Sequence, residues 1–380
     1  MNSKIWLSSP HMGGTEQKYI QDAFETNWIA PLGPNVNEFE NALETFLNED
    51  KFVSCLSSGT AAIHLALVQL GVRNGDEVLC QTFTFCGSAN PIIYQGATPV
   101  FVDSETETWN MCPSYLEEAI KQRISKGKKP KAIILVHLYG MPAKIDEILA
   151  IARKYEIPII EDAAEALGST YKGRKCGTFG EYSILSFNGN KIITTSGGGA
   201  LVCRTKEQKE QTIFYATQAR DNKPYYQHSK IGYNYRMSNI NAGIGRGQME
   251  VLTHHVNLRR SNNAFYSQIF ENLNGIRLLQ EPNSDFYSNH WLSCITIDPK
   301  EANFTREELR LALLENNIES RPLWNPMHLQ PVFKDNLFYG SNISETLFAN
   351  GLCLPSGSNL LEEEKNRIKS AINSFLSKKA

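Results

Sequence analysis

Between residues 52 and 203 the chain alternates short apolar runs with longer stretches in which apolar residues recur at helical spacing. The runs at 52–56, 77–80, 99–102, 132–138, 157–160, 182–187 and 200–203 read as buried strands. The stretches at 61–70, 86–94, 115–124 and 145–155 read as helices, the last with Ile145, Ile148, Leu149 and Ile151 on adjacent faces. Alternating strand and helix predicts a mostly parallel sheet covered by helices on both faces. Ligands of such sheets sit beyond the carboxyl ends of the strands.

After residue 233 the pattern changes. Long helices are expected at 239–251 and 258–273, then a strand at 291–297, a helix at 306–316, a short strand at 318–321 and a terminal helix at 362–375. Asn359 is placed to cap that last helix, because its side-chain oxygen can accept from first-turn N–H groups. The expected division is a large domain over 12–250 and a smaller α+β domain over 251–380 that takes in the N-terminal segment. The polar stretch at 125–131 reads as a solvated loop, and no internal repeat is visible.

Composition removes several function classes. With 38 basic and 40 acidic residues the formal net charge is −2, which gives neither the basic face of a nucleic-acid binder nor a polybasic membrane signal. No apolar run approaches the roughly 18 residues that span a bilayer, and the first ten residues lack the apolar core of a secretory signal. The expected location is the cytoplasm. The eight cysteines are scattered with no Cys-x-x-Cys pair, so they read as free, mostly buried thiols.

Three segments can carry chemistry. Ser57-Ser58-Gly59-Thr60-Ala61 lies between a buried strand and an apolar helix, where backbone N–H groups and the helix dipole favour an anion. Taken alone, a plain N-cap explains it better. Glu161-Asp162 ends a strand, so a carboxylate there can reach a ribose, a metal or a protonated ring nitrogen, or simply cap the following turn. Lys191 follows an apolar strand and precedes a stiff β-branched run and Gly197-Gly198-Gly199. A lysine in a polar turn is usually a solvated charge; held over a pocket, it becomes a nucleophile. No Gly-x-Gly-x-x-Gly opens a helix near the first strand, which disfavours a nicotinamide enzyme. Phosphate turn, carboxylate and lysine in that order are the three parts pyridoxal phosphate needs, and Phe85 can cover one ring face.

At this point the chain resembles the DegT/DnrJ/EryC1/StrS sugar aminotransferases, over nearly its whole length. The motifs are residues 28–33, Ser57-Ser58-Gly59-Thr60-Ala61-Ala62, Thr82-Phe83-Thr84-Phe85, Glu161-Asp162-Ala163-Ala164, Ser186-Phe187 with Lys191, Gly232-Tyr233-Asn234-Tyr235-Arg236-Met237, and residues 352–355. The resemblance implies an aspartate-aminotransferase-like α/β fold (pyridoxal-phosphate fold type I), with a mixed, mostly parallel sheet in the large domain. It further implies that Lys191 bears pyridoxal 5'-phosphate as a Schiff base and Asp162 pairs with the pyridine nitrogen. Gly59, Thr60 and Ser186 would hold the phosphate, Phe85 would stack on the ring, and Asn234 would reach the phosphate of the neighbouring subunit in a homodimer. Trp28, Ile29, Ala30, Arg321 and His328 would meet the nucleotide sugar, although a purely structural loop histidine explains His328 equally well.

Two departures stand out. Many relatives carry His or Gln where Glu165 stands, so a role for Glu165 near the cofactor oxygen leaves its protonation open. Many also carry Gly-Glu-Gly-Gly where this chain has Ser196-Gly197-Gly198-Gly199. The form Asn188-Gly189-Asn190-Lys191 resembles a subgroup acting on UDP-linked 4-keto-6-deoxy-N-acetylhexosamines, with L-glutamate as amino donor. The implied product is UDP-4-amino-4,6-dideoxy-N-acetyl-glucosamine, the bacillosamine precursor. The alternatives are another ketosugar (dTDP- or GDP-linked, aminated at C3 or C4) or a non-catalytic sensor on the same fold. Lys191 speaks against the dehydratase branch, which has histidine at that place.

Overall fold

The computed structural model describes residues 3–379; Met1, Asn2 and Ala380, at the ends of the expected segments, lie outside the described residues. All seven expected strands form: β1 (Phe52–Leu56), β2 (Glu77–Gln81), β3 (Thr98–Val102), β4 (Ala132–Val136), β5 (Ile159–Asp162), β6 (Tyr182–Ser186) and β7 (Gly199–Cys203). They lie in the order β1-β7-β6-β5-β4-β2-β3, and the short strand Phe338–Tyr339 adds to the β3 edge. β7 runs antiparallel to both neighbours and every other pair is parallel.

The near-continuous apolar runs are explained by two-sided burial. Along β4, Ile134 and Val136 join the core under the helix Gly59–Gln69, while Ile133 and Leu135 join the core under Pro113–Ser125 and Ile145–Tyr155. Successive side chains of a strand point to opposite faces, so both faces must be apolar. Moving the start of β5 from the expected 157 to 159 makes Glu161 and Asp162 its last residues, with opposite orientations.

A separate core gathers Tyr266, Ile295, Leu309, Leu352 and Ile372 around an antiparallel sheet, in the order Ile276–Leu278, Ser293–Ile297, Gly351–Leu354, Arg321–Pro322. Ile5 of the N-terminal segment is buried in it.

The two helices expected at 239–251 and 258–273 are one helix, Asn239–Phe270, so the boundary drawn at 250/251 falls inside a continuous element. The gap at 252–257 is helical, with Leu252, His255 and Val256 buried, and Arg259, Asn262 and Asn263 farther along are buried as well. At Gly245 a Cβ would come within 2.6 Å of the Phe39 ring, so only glycine lets the helix Pro34–Leu47 lie this close. Residues beyond 251 also serve the large sheet, since Met327 and Phe333 join its core. Asn359 does not cap the last helix, Glu362–Leu376; Leu361 precedes it and Glu364 accepts from the Leu361 amide (2.9 Å). The Asn359 amide instead bonds Ser9 Oγ (2.9 Å). No helix among the described residues is long and apolar enough to cross a membrane.

Candidate active site

A cavity of about 960 Å3 opens at the carboxyl ends of β5 and β6, beside the start of the helix Gly59–Gln69. Its first wall is the turn after β1. Ser58 is extended (φ −167°) and its Oγ accepts from the Ala61 amide at 3.0 Å, so the N-cap expectation is realised. The amides of Gly59 and Thr60 lie ahead of the first intrahelical acceptor, where the helix dipole favours an anion. Gly199 of β7 passes so close that a Cβ there would sit 2.3 Å from the Gly59 nitrogen. Ser186, the last residue of β6, stands against this turn, and a Cβ on Gly59 would be 3.3 Å from that of Ser186. Ser58, Gly59, Thr60 and Ser186 therefore share one rim of amides and hydroxyls.

The second wall is the end of β5. Asp162 is buried but lines the cavity; it accepts from Ser88 Oγ (2.7 Å) and from the Ala164 amide (3.1 Å). Glu161 turns away, accepting from the amides of Gly177 (2.6 Å), Phe179 (2.7 Å) and Gly180 (3.1 Å) and from Ser183 Oγ (2.9 Å). His137 and Cys176 stand beside it at metal-ligand spacing. His137 Nδ1 accepts from the Ala143 amide (3.1 Å), so Nε2 carries the proton and donates to Glu161 (2.8 Å). With its lone pair already used, the imidazole is a structural link between strands and not a metal ligand.

The third wall is the turn after β6. Lys191 Nζ lies 3.3 Å from Glu165 Oε1 and 4.2 Å from the centre of the Trp291 ring, with the lysine side chain only 13% exposed. The ring face attracts the ammonium electrostatically. Glu165 Oε2 accepts from the Tyr139 amide (2.7 Å). Burial pushes the Glu165 carboxyl up to about 7; the Lys191 charge and the Tyr139 amide oppose that shift, and the charge of Asp162 adds to it.

Phe85 lines the cavity and is 57% exposed, its ring 5.6 Å from that of Trp324. Arg321 also lines it and pairs with Glu319 (2.6 Å). His328 does not: its Nδ1 bonds Thr82 Oγ1 (2.7 Å), its Nε2 bonds Glu345 (3.2 Å), and its ring stacks on Phe338 at 3.8 Å. Asn234, Trp28, Ile29 and Ala30 likewise lie off this chain's cavity, and the first three are exposed. Several lining residues had no signal in the sequence: Trp291, Ser88 and the segment 6–10; Trp324, on the segment that the resemblance places near the nucleotide sugar, lines the cavity too. The strand expected from 291 begins at Ser293, which leaves Trp291 in the approach loop facing Lys191.

These groups fit pyridoxal phosphate: a helix start with hydroxyls for the phosphate, a buried carboxylate for a ring nitrogen, and a single amine in the same cavity.

Residues 10–373 match the DegT/DnrJ/EryC1/StrS aminotransferase family. EpsN of Bacillus subtilis (strain 168), provisionally named a pyridoxal phosphate-dependent aminotransferase, is 50% identical over 372 residues, covering 97% of this chain and 95% of that protein. A GDP-perosamine synthase of Escherichia coli O157:H7 is 38% identical over 375 residues, covering 99% of both. A DegT DnrJ EryC1 StrS aminotransferase from Brucella abortus superposes with a TM-score of 0.88 at 28% identity, over 95% of each chain. The fold is thus that of type I pyridoxal-phosphate enzymes, as expected. The chain belongs to the DegT/DnrJ/EryC1/StrS aminotransferase family and is a pyridoxal-phosphate-dependent sugar aminotransferase.

Proposed function

We propose that this enzyme moves an amino group from L-glutamate to C4 of a UDP-linked 4-keto-6-deoxy-N-acetylhexosamine, giving UDP-4-amino-4,6-dideoxy-N-acetyl-glucosamine. One observation carries the chemistry: Lys191, Asp162 and the start of the helix Gly59–Gln69 all open onto one cavity. When bound, pyridoxal phosphate supplies an aldehyde for the amine and a protonated ring that accepts an electron pair. Asp162, fixed by Ser88 and the Ala164 amide, would face the ring nitrogen and keep it protonated. Lys191 is the only lysine among the described residues that line the cavity and is the group that takes the donor's α-proton and delivers one to sugar C4. The face from which it delivers sets the configuration of the amine. Gly59, Thr60 and Ser186, which line the cavity, would hold the phosphate, and Phe85 would cover the ring.

The UDP reading rests on the Asn188-Gly189-Asn190-Lys191 form. A second reading, a GDP-linked 4-ketosugar, is favoured by relatives named GDP-perosamine synthase at 38% and 35% identity. A panel of UDP-, GDP- and dTDP-linked 4-ketosugars with glutamate tests them, read by NMR of the product at C4. Turnover confined to the UDP sugar supports the first reading; preference for the GDP sugar replaces it with the second.

We also propose a homodimer with shared sites. The exposed side chains of Asn234, Trp28 and Ile29, together with Ala30, would then complete the neighbouring cavity. Mixing Lys191→Ala and Asn234→Ala chains tests this. Recovered activity supports shared sites, and two inactive variants that stay inactive after subunit exchange contradict them.

A further inference from the structure

Arg259 is a charged residue with no carboxylate partner among the described residues, 1% exposed, in the middle of the helix Asn239–Phe270. Burying an unpaired guanidinium is costly unless its N–H groups are used. Arg259 uses its two terminal nitrogens fully: Nη1 donates to the carbonyls of Trp291 (2.6 Å) and Ser356 (3.3 Å), and Nη2 donates to Ser8 Oγ (3.0 Å) and to the carbonyl of Lys191 itself (3.3 Å). Its Nε makes no bond among the described residues, so the two terminal nitrogens carry all of its hydrogen bonding there.

The partners converge on one place. Ser8 Oγ, which accepts from Arg259, donates onward to the carbonyl of Asn190 (2.7 Å). Trp291, whose carbonyl Arg259 holds, donates its indole N–H to the same Asn190 carbonyl (2.7 Å). The Trp291 ring also lies under the Lys191 ammonium at 4.2 Å. Two consecutive carbonyls, 190 and 191, are thereby pinned by three donors from three segments distant in sequence.

We propose that Arg259 is a positioning residue for amino transfer: through Ser8 and Trp291 it clamps the backbone that aims Lys191. The planar fork of arginine reaches both the Lys191 and the Trp291 carbonyls at once, and the single ammonium of lysine does not. The inference rests on the reading of Lys191 as the cofactor-bearing residue.

The test uses holoenzyme with Arg259→Lys, Ser8→Ala and Trp291→Phe, following kcat, KM and the visible circular dichroism of the bound cofactor. Misplacing a reacting group by about 1 Å costs on the order of 100-fold. The expected result for Arg259→Lys is a kcat loss of about that size, with KM for both substrates changed less than about twofold and an altered dichroic band. Ser8→Ala, which removes one hydroxyl near the surface, lowers kcat in the same direction by less. Normal kcat and dichroism in folded Arg259→Lys overturn the clamp, as does a lowered melting temperature with unchanged kcat. If Arg259→Lys does not fold, unchanged kcat and dichroism in both other variants overturn it. Wild-type protein with no reducible adduct on Lys191 overturns the parent reading instead, and the clamp with it.

Discussion

At the residue scale the decisive pair is Lys191 and Glu165. Burial holds the Glu165 carboxyl up at about 7, against about 4.5 for a free glutamate. Between those two pH values the folded chain keeps a proton on Glu165 that the unfolded chain releases. Stability therefore falls as pH rises through this window and is regained as pH falls. The contribution is on the order of 3 kcal/mol at most, spread over the window. Glu165→Gln removes it, so a denaturant series on cofactor-free protein from pH 5 to pH 8 is expected to lose that slope; an unchanged slope contradicts the assignment. Lys191 and Asp162 were legible in the sequence because each follows a buried strand whose exit meets the ligand edge of the sheet. Arg259 and Trp291 were not, because their partners are backbone carbonyls 68 and 101 positions away. No side-chain pattern reports such a bond. His328, for which a structural loop role was weighed equally with sugar contact, has its ring nitrogens bonded to Thr82 and Glu345.

At the scale of elements, the cavity depends on how tightly β7 passes the helix that starts at Gly59. A Cβ on Gly199 would also lie 2.7 Å from the Ser58 carbonyl oxygen, and backbone cannot swing aside as a side chain can. Gly199→Ala is expected to cost about 1–3 kcal/mol of stability through overpacking. It is further expected to weaken pyridoxal phosphate binding about tenfold, which is about 1.4 kcal/mol, by displacing the first-turn amides. Absorbance titration of cofactor-free protein checks the second effect, and wild-type affinity would contradict this account of the phosphate rim. The large sheet was legible because two-sided burial writes nearly uninterrupted apolar runs. The long helix was read as two because the segment 252–257 mixes polar and apolar residues; His255 there stacks on the His11 ring, and farther along Arg259 and Asn262 donate to backbone carbonyls.

At the scale of the whole molecule, the cavity is assembled from three parts of the chain, each in one or several pieces. Residues 57–60, 162–165 and 186–191 come from the large sheet, residues 291 and 321–324 from the second half, and residues 6–10 from the N-terminal segment. Local patterning revealed the first set only, since the other two reach the site through tertiary packing. Arg259 ties the sets together, holding Ser8, Lys191 and Trp291 with one guanidinium. All of this chemistry converges on a single amine, and borohydride reduction of cofactor-saturated protein followed by peptide mass spectrometry tests it most directly. The account predicts a yellow protein that bleaches on reduction and one stable pyridoxyl adduct per chain, on Lys191. A colourless protein, or an adduct on any other lysine, would contradict it.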